Sequence, residues 1–213
     1  MTRVIVYCEG PTEETFVNRI LAPSFWSKNI YLTASPCNGV SKYSIIKKDL
    51  STLCKHDSSA IITTMLDYYA LPSDTPGMRD TVNGTIYDKV SHVERKIKED
   101  IGVDNLIPYL MLHEFESLLF SDPMCFKYCG LSNRKIAELC SIRDGAETPE
   151  HINNSPNTAP SKRILRIYPE YDKVLDGFNI AEDIGLAKMR SECRHFDKWV
   201  CFLEALEPEE TFW

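Results

Sequence analysis

Thr2-Arg3-Val4-Ile5-Val6-Tyr7-Cys8 runs directly into Glu9-Gly10-Pro11-Thr12-Glu13-Glu14. The apolar, β-rich residues 3–8 predict a strand, and Gly10-Pro11 breaks it. Thr12 is then read as the N-cap of a helix, with Glu13 and Glu14 in the first turn, where acids complement the helix dipole. Phe16, Val17, Ile20 and Leu21 recur at helical spacing, and Pro23 is expected to end or kink that helix. The same alternation continues. A strand is predicted over 30–35, closed by Asn38-Gly39, then a helix over 44–54, then a buried strand over 60–66 that ends at Asp67. Residues 70–84 are rich in Pro, Gly and Asp and read as a loop or lid. A helix over 85–100 and a fourth strand over 106–112 follow, the latter with Pro108 inside it and His113-Glu114-Phe115-Glu116 at its end. Strands alternating with helices imply right-handed βαβ units. The expected fold is α/β, a largely parallel four-stranded sheet flanked by helices.

After residue 120 the pattern changes to helices only, over 133–140, 161–167 and 180–206. A turn-rich connector, Asn153-Asn154-Ser155-Pro156-Asn157-Thr158-Ala159-Pro160, separates the first two. The predicted organisation is an α/β core over 1–120 and a helical C-terminal extension over 121–213, packed on that core.

Composition narrows the function classes. Of 213 residues, 43% are hydrophobic and 26% charged, which excludes a disordered chain. No apolar run reaches the roughly 18 residues a membrane span needs, and Glu9 interrupts any signal-peptide core, so a soluble cytoplasmic protein is expected. The eight cysteines are scattered and read as reduced core thiols. Only Cys125-x3-Cys129, with Cys193 and His195, approaches zinc-ligand spacing, and a single pair is a weak signal. Net charge is −7, much of it in the acidic tail that ends in Phe212-Trp213. An acidic chain binds nucleic acid only through a local basic patch, a cation or a partner. No Walker A loop, dinucleotide fingerprint or Gly-x-Ser-x-Gly elbow is present.

In a parallel α/β sheet, ligands bind beyond the carboxyl ends of the strands. Glu9 follows the first strand, Asp67 the third, and Glu114 and Glu116 the fourth; Glu13 lies one helical turn beyond Glu9. Each has an ordinary structural explanation alone, as a helix-start acid or a turn cap. Gathered together, like charges repel and are costly to bury, and a divalent cation relieves both penalties. All-oxygen ligands favour magnesium, manganese or calcium over zinc. His113 adjoins these acids, whereas His56, His92 and His151 sit in polar contexts. Lys162, Arg163 and Arg166 open a predicted helix, where cations oppose the dipole and need another reason to be there, such as a phosphate. Lys188, Arg190, Arg194 and Lys198 further along read more readily as a solvated helix face.

Glu-Gly-Pro-Thr-Glu-Glu (9–14), Asp-Tyr-Tyr-Ala-Leu-Pro-x-Asp-x-Pro-Gly (67–77) and His-Glu-Phe-Glu-Ser-Leu-Leu-Phe-Ser-Asp-Pro (113–123) resemble the bacterial domain of unknown function 4276. So do Ala-Pro-Ser-Lys-Arg-Ile (159–164), Ile-Gly-Leu (184–186) and Cys-Arg-His-Phe-Asp-Lys-Trp (193–199). That family is similar to Toprim domains, especially those of the overcoming-lysogenization-defect nucleases, and its genes often neighbour ABC-type ATPases in phage-defence loci. The resemblance implies a Toprim-like fold and Mg2+- or Mn2+-dependent phosphodiester cleavage of nucleic acid, DNA ahead of RNA, beside an ABC-type ATPase partner. It implies metal ligands at Glu9, Glu13, Asp67, Glu114 and Glu116, a catalytic lysine at Lys162, and nucleic-acid contacts at Lys162, Arg163 and Arg166. The Toprim Asp-x-Asp motif falls on Asp67-Tyr68-Tyr69, so its second aspartate is missing; Glu114, Glu116 or Asp74 are the candidates to replace it. That departure, with the acidic net charge, also suits a competing reading, a non-catalytic adaptor or regulator of an ATPase.

Overall fold

The computed structural model describes residues 1–37, 39, 41–152 and 158–206. The acidic tail with Phe212-Trp213, Asn38 and most of the 153–160 connector lie outside the described residues. Five strands form one parallel sheet: β1 (Thr2–Cys8), β2 (Ile30–Pro36), β3 (Ile61–Asp67), β4 (Leu106–Ile107) and β5 (Leu110–Met111). The order is β2-β1-β3-β4, with β5 also pairing β3. In register, Val4 lies beside Leu32 on one side and Ile61 on the other.

Alternation along the strands builds two cores. Val4, Val6, Cys8 and Met65 face one layer, while Tyr7, Ile62 and Leu66 face the other. Helices α1 (Pro11–Phe16) and α2 (Ala22–Phe25) cover the first face, and α3 (Tyr43–His56) and α4 (Ile86–Ile101) cover the second through Ile46, Leu50, Val90, Val93 and Ile97. The C-terminal helices are α5 (Glu116–Leu119), α6 (Asn133–Asp144), α7 (Pro160–Ile167), α8 (Leu175–Ile184), α9 (Leu186–Glu192) and α10 (Arg194–Glu204). All of them join the first face: Phe196, Trp199, Val200 and Leu203 share its hydrophobic cluster with Val4 and Val6.

Local chemistry explains the differences from expectation. The N-cap of α1 is Gly10, not Thr12, because Pro11 suits the first helical position, where no N–H is needed. The helix does not end near Pro23. It passes through a π turn at Val17–Leu21 into α2, a wider turn that accommodates a residue without an N–H donor. The helix expected over 180–206 is three, because Gly185 takes a left-handed φ of 75° between α8 and α9 and Cys193 is extended between α9 and α10.

Pro108 splits the fourth strand into β4 and β5, since proline cannot donate to the ladder. Two threonines of β3 repair the gap. Thr63 Oγ1 donates to the Ile107 carbonyl at 2.7 Å, and Thr64 Oγ1 both donates to the Tyr109 carbonyl at 2.6 Å and accepts the Tyr109 N–H at 2.9 Å. Trp199 Nε1 then donates to Thr63 Oγ1 at 2.9 Å, which ties α10 to the sheet. Thr64→Val keeps the shape but strands a buried donor and acceptor on Tyr109, so unfolding in urea should show a loss of about 2–3 kcal/mol; an unchanged midpoint would mean that the hydroxyl does not hold the split strand.

Candidate functional site

The carboxyl ends of β1 and β3 lie side by side, so Glu9 and Asp67 meet at one crevice. Glu13 is folded back toward it, because the Gly10 N–H donates to Glu13 Oε2 at 2.9 Å. Glu114 and Glu116 arrive by a sharp turn: His113 adopts φ 70°, a left-handed conformation that histidine tolerates better than most residues. The chain therefore passes from β5 into α5 within a few residues, with the Glu114 N–H bonded to the Leu112 carbonyl at 3.1 Å.

The result is a cleft of about 340 Å³ lined by Glu9, Gly10, Glu13, Gly39, Asp67 and Lys173. Lys173 is the group that sequence reasoning missed. It sits in the turn before α8, where Asp172 Oδ1 accepts the N–H groups of Val174 and Leu175, both at 2.9 Å, and Asp176 Oδ2 accepts that of Asp172 at 2.9 Å. So braced, Lys173 Nζ pairs with Glu116 Oε1 at 2.9 Å; the lysine side chain is half-exposed, while Glu116 is 0% exposed and its Oε2 has no hydrogen-bond partner among the described residues.

The remaining acids differ in what they touch. Glu114 Oε2 accepts the Ser161 N–H at 2.9 Å and so holds the start of α7. Glu9 accepts a hydrogen bond from the Asp67 backbone. Asp67 is 7% exposed, and its Oδ1 has no hydrogen-bond partner among the described residues. Leaving such an oxygen buried and unmatched is costly unless a proton or a cation meets it.

Electrostatics follow from that crowding. Burial, then Glu9, Glu13 and Glu116, push the Asp67 carboxyl well above the ordinary range. Burial lifts Glu13 to about 7, with Glu9 and Glu116 adding to it against the backbone hydrogen bonds. Glu9 and Glu116 are also raised by burial, each against the pull of Lys173. Burial opposes the charge on Lys173, but Glu116, Asp67 and Glu114 carry its pKa above that of an ordinary lysine. Burial lowers His113 to about 4, so its ring is neutral at physiological pH.

The other candidates lie elsewhere. Lys162 is exposed, one residue past the Ser161 bond, with no ion pair to the acids among the described residues. Arg163 Nε donates to the Thr158 carbonyl and faces a separate cleft with His151, and Arg166 is exposed. Asp74 accepts the Tyr43 N–H at 3.2 Å at the start of α3, so it is spent on capping and does not replace the missing aspartate. Lys188 and Arg190 are ion-paired to Glu192, Asp197 and Glu204. All eight cysteines are free thiols. Among the described residues no three His, Cys, Asp or Glu side chains stand arranged to hold a metal ion, neither the zinc grouping nor the five acids Glu9, Glu13, Asp67, Glu114 and Glu116. A smaller, mostly apolar cavity of about 130 Å³ lies beside Pro108, and its Glu94 and His195 satisfy one another at 2.8 Å.

A family model described as "Domain of unknown function (DUF4276)" matches residues 8–204. The chain belongs to that family. Three solved structures of the C-terminal region of the Xanthomonas campestris pv. campestris OLD protein, phased with mercury, iodine and platinum, are similar to this DUF4276 chain. Identity is 14%, 15% and 16%, they cover 95%, 95% and 94% of this chain and 98%, 97% and 95% of theirs, and TM-scores are 0.42, 0.41 and 0.43. No curated protein matches it. Among the described residues no helix is long and apolar enough to cross a membrane.

A carboxyl whose folded pKa lies above its unfolded value binds its proton more tightly when folded, so its stabilisation is fully present below the unfolded value and is lost as pH rises through the folded one. For Glu13 that window runs from the ordinary 4.5 to about 7. Without divalent ions, the melting temperature of this DUF4276 chain should fall across that window, and Glu13→Gln should flatten much of the fall. A melting temperature that rises over the same range would contradict the crowded-carboxylate description.

Proposed function

We propose that this chain is a divalent-cation-dependent phosphodiesterase acting on nucleic acid, DNA ahead of RNA. The observation that carries the reading is Asp67 Oδ1, buried and unpartnered, in a cleft it shares with Glu9 and Glu13. The donor set fits Mg2+ or Mn2+ in kind, being hard carboxylate oxygen throughout. Asp67 and Glu9 would hold the ion, with Glu13 supporting it, after side-chain rotations that bring their oxygens together. A bound ion would polarise a phosphoryl oxygen and lower the pKa of water.

The residues of the chain supply the rest. Glu13 Oε2 is engaged by the Gly10 N–H, which leaves Oε1 to accept the proton of an attacking water. The water oxygen bonds to phosphorus, the P–O bond to the leaving sugar oxygen breaks, and the proton passes on to that oxygen. Lys173 offsets charge on the phosphoryl oxygens, and Glu114 holds the start of α7. The chain is acidic, with a net charge of −7, and Lys188 and Arg190 are already paired. Substrate capture therefore calls for basic surface from a partner, and an ABC-type ATPase in a phage-defence system is the proposed source. A catalytically degenerate adaptor of such an ATPase is the second reading, favoured by the absence of three converged ligands among the described residues.

Glu9→Gln and Asp67→Asn should each lower Mg2+- or Mn2+-dependent cleavage of DNA by at least about a hundredfold, the scale of losing one group that stabilises developing charge, with circular dichroism unchanged. Undiminished cleavage by both folded variants would remove the assignment, and no cleavage by the wild-type chain with its ATPase would favour the adaptor.

A further inference from the structure

We infer that the cavity beside Pro108 is a pocket for a single-ring nucleobase, cytosine ahead of thymine, on an unpaired stretch of nucleic acid; the path of that strand to the cleft rests on the reading above, while the affinity for the base does not. The cavity, of about 130 Å³, lies where the proline divides β4 from β5, at the β4 edge of the sheet. It has room for one ring, since a cavity of about 150 Å³ holds a benzene. Its aromatic wall is already assembled. Tyr109 stacks on Trp199, with centroids 4.3 Å apart and planes 7° apart, and on His195 at 5.3 Å and 24°. Trp199 is pinned through Nε1 to Thr63, so the stack keeps its place without a ligand. Phe202 also lines the cavity and is 47% exposed, which leaves ring surface for a base to cover.

Two polar groups of the wall are uncommitted. Glu94 Oε1 accepts the Leu110 N–H at 2.8 Å and bonds His195 Nε2 at 2.8 Å, whereas Glu94 Oε2 has no hydrogen-bond partner among the described residues. Lys198 lines the same cavity, is exposed and makes no ion pair among the described residues. A purely apolar ring would leave both charges unmatched. Cytosine offers its exocyclic amino group to the carboxylate and adjacent acceptors to the ammonium. The one ring N–H of thymine lies between two carbonyl oxygens that a carboxylate repels, and a purine brings a second ring to a one-ring space. Thr63, which holds Trp199, precedes Asp67 by four residues on β3. The pocket is therefore roughly 13 Å down the strand from the cleft, about four nucleotide steps.

The test titrates the full chain, without divalent ions so that nothing is cleaved, with labelled short single strands of oligo-deoxycytidine, oligo-thymidine or oligo-deoxyadenosine at fixed salt. Fluorescence anisotropy should show deoxycytidine strands bound at least about fivefold more tightly than the other two. Phe202→Ala and Lys198→Met, both at exposed positions, should each weaken that binding by about fivefold or more, the scale of one stacked base. Glu94→Gln, which puts an amide donor in place of Oε2, should turn the preference toward thymidine, whose carbonyl meets that donor. No binding, equal affinity for the three strands, or an order unmoved by Glu94→Gln would overturn the pocket, whether or not the chain cleaves DNA. Cytidine monophosphate competing as well as the strand would assign the pocket to free nucleotides and overturn the strand's path. Base-selective binding by a chain that cleaves nothing even with its ATPase would sink the nuclease reading and leave the pocket standing.

Discussion

Repulsion among buried carboxylates organises this protein. Burial raises the pKa values of Glu9, Glu13, Asp67 and Glu116, and neighbouring carboxylates add to it: Glu9 and Glu116 on Glu13 and Asp67, and Glu114 on Glu9 and Glu116. A fold selected for stability alone would disperse such groups to solvent or replace them, because each ionised carboxylate out of water costs several kcal/mol unless paired. Here the sheet does the opposite: parallel strands deliver Glu9 and Asp67 to the same edge, and the Gly10 N–H turns Glu13 inward. The strain is offset in part by Lys173 and by backbone donors, and what remains is a field prepared for positive charge.

The surrounding structure is built to hold that arrangement. The two hydrophobic clusters on opposite faces of the sheet fix the strand ends, and the Pro108 break lets the chain leave the sheet early and turn at His113 toward the crevice. Buried Glu150 accepts the N–H groups of His195 and Phe196 at the start of α10, so the C-terminal helices are anchored by the same kind of carboxylate-to-backbone bond that Glu114 makes to α7. Acids in this molecule thus do two jobs, capping helices and crowding the cleft, and only their contacts tell the two apart.

That double use explains what was legible in the sequence. Hydrophobic runs separated by amphipathic helices sufficed for the parallel α/β sheet, because period 2 and period 3.6 survive without knowledge of neighbours. The strand-end positions of Glu9 and Asp67 followed from topology, whereas Glu114 and Glu116 lie past the end of β5, Glu116 inside α5. What could not be read was which acids are spent elsewhere: Asp74 on α3 and Glu114 on α7 are bonded to backbone groups far away in the chain. Lys173 was hidden for a similar reason, since its partner lies in α5. A signal existed, because Asp172 and Asp176 mark a helix start, and a lysine placed there works against the dipole, as at Lys162. The N-cap at Gly10 and the breaks at Gly185 and Cys193 turn on local backbone angles that residue type only suggests.

The function proposed for this chain requires these oxygens to share a hard divalent ion. Anomalous diffraction from crystals grown with Mn2+ tests it most directly. The account predicts a peak within bonding distance of Asp67 Oδ1 and of a Glu9 or Glu13 oxygen. Full Mn2+ saturation in solution with no density at Asp67, or density only at surface acids, would contradict it.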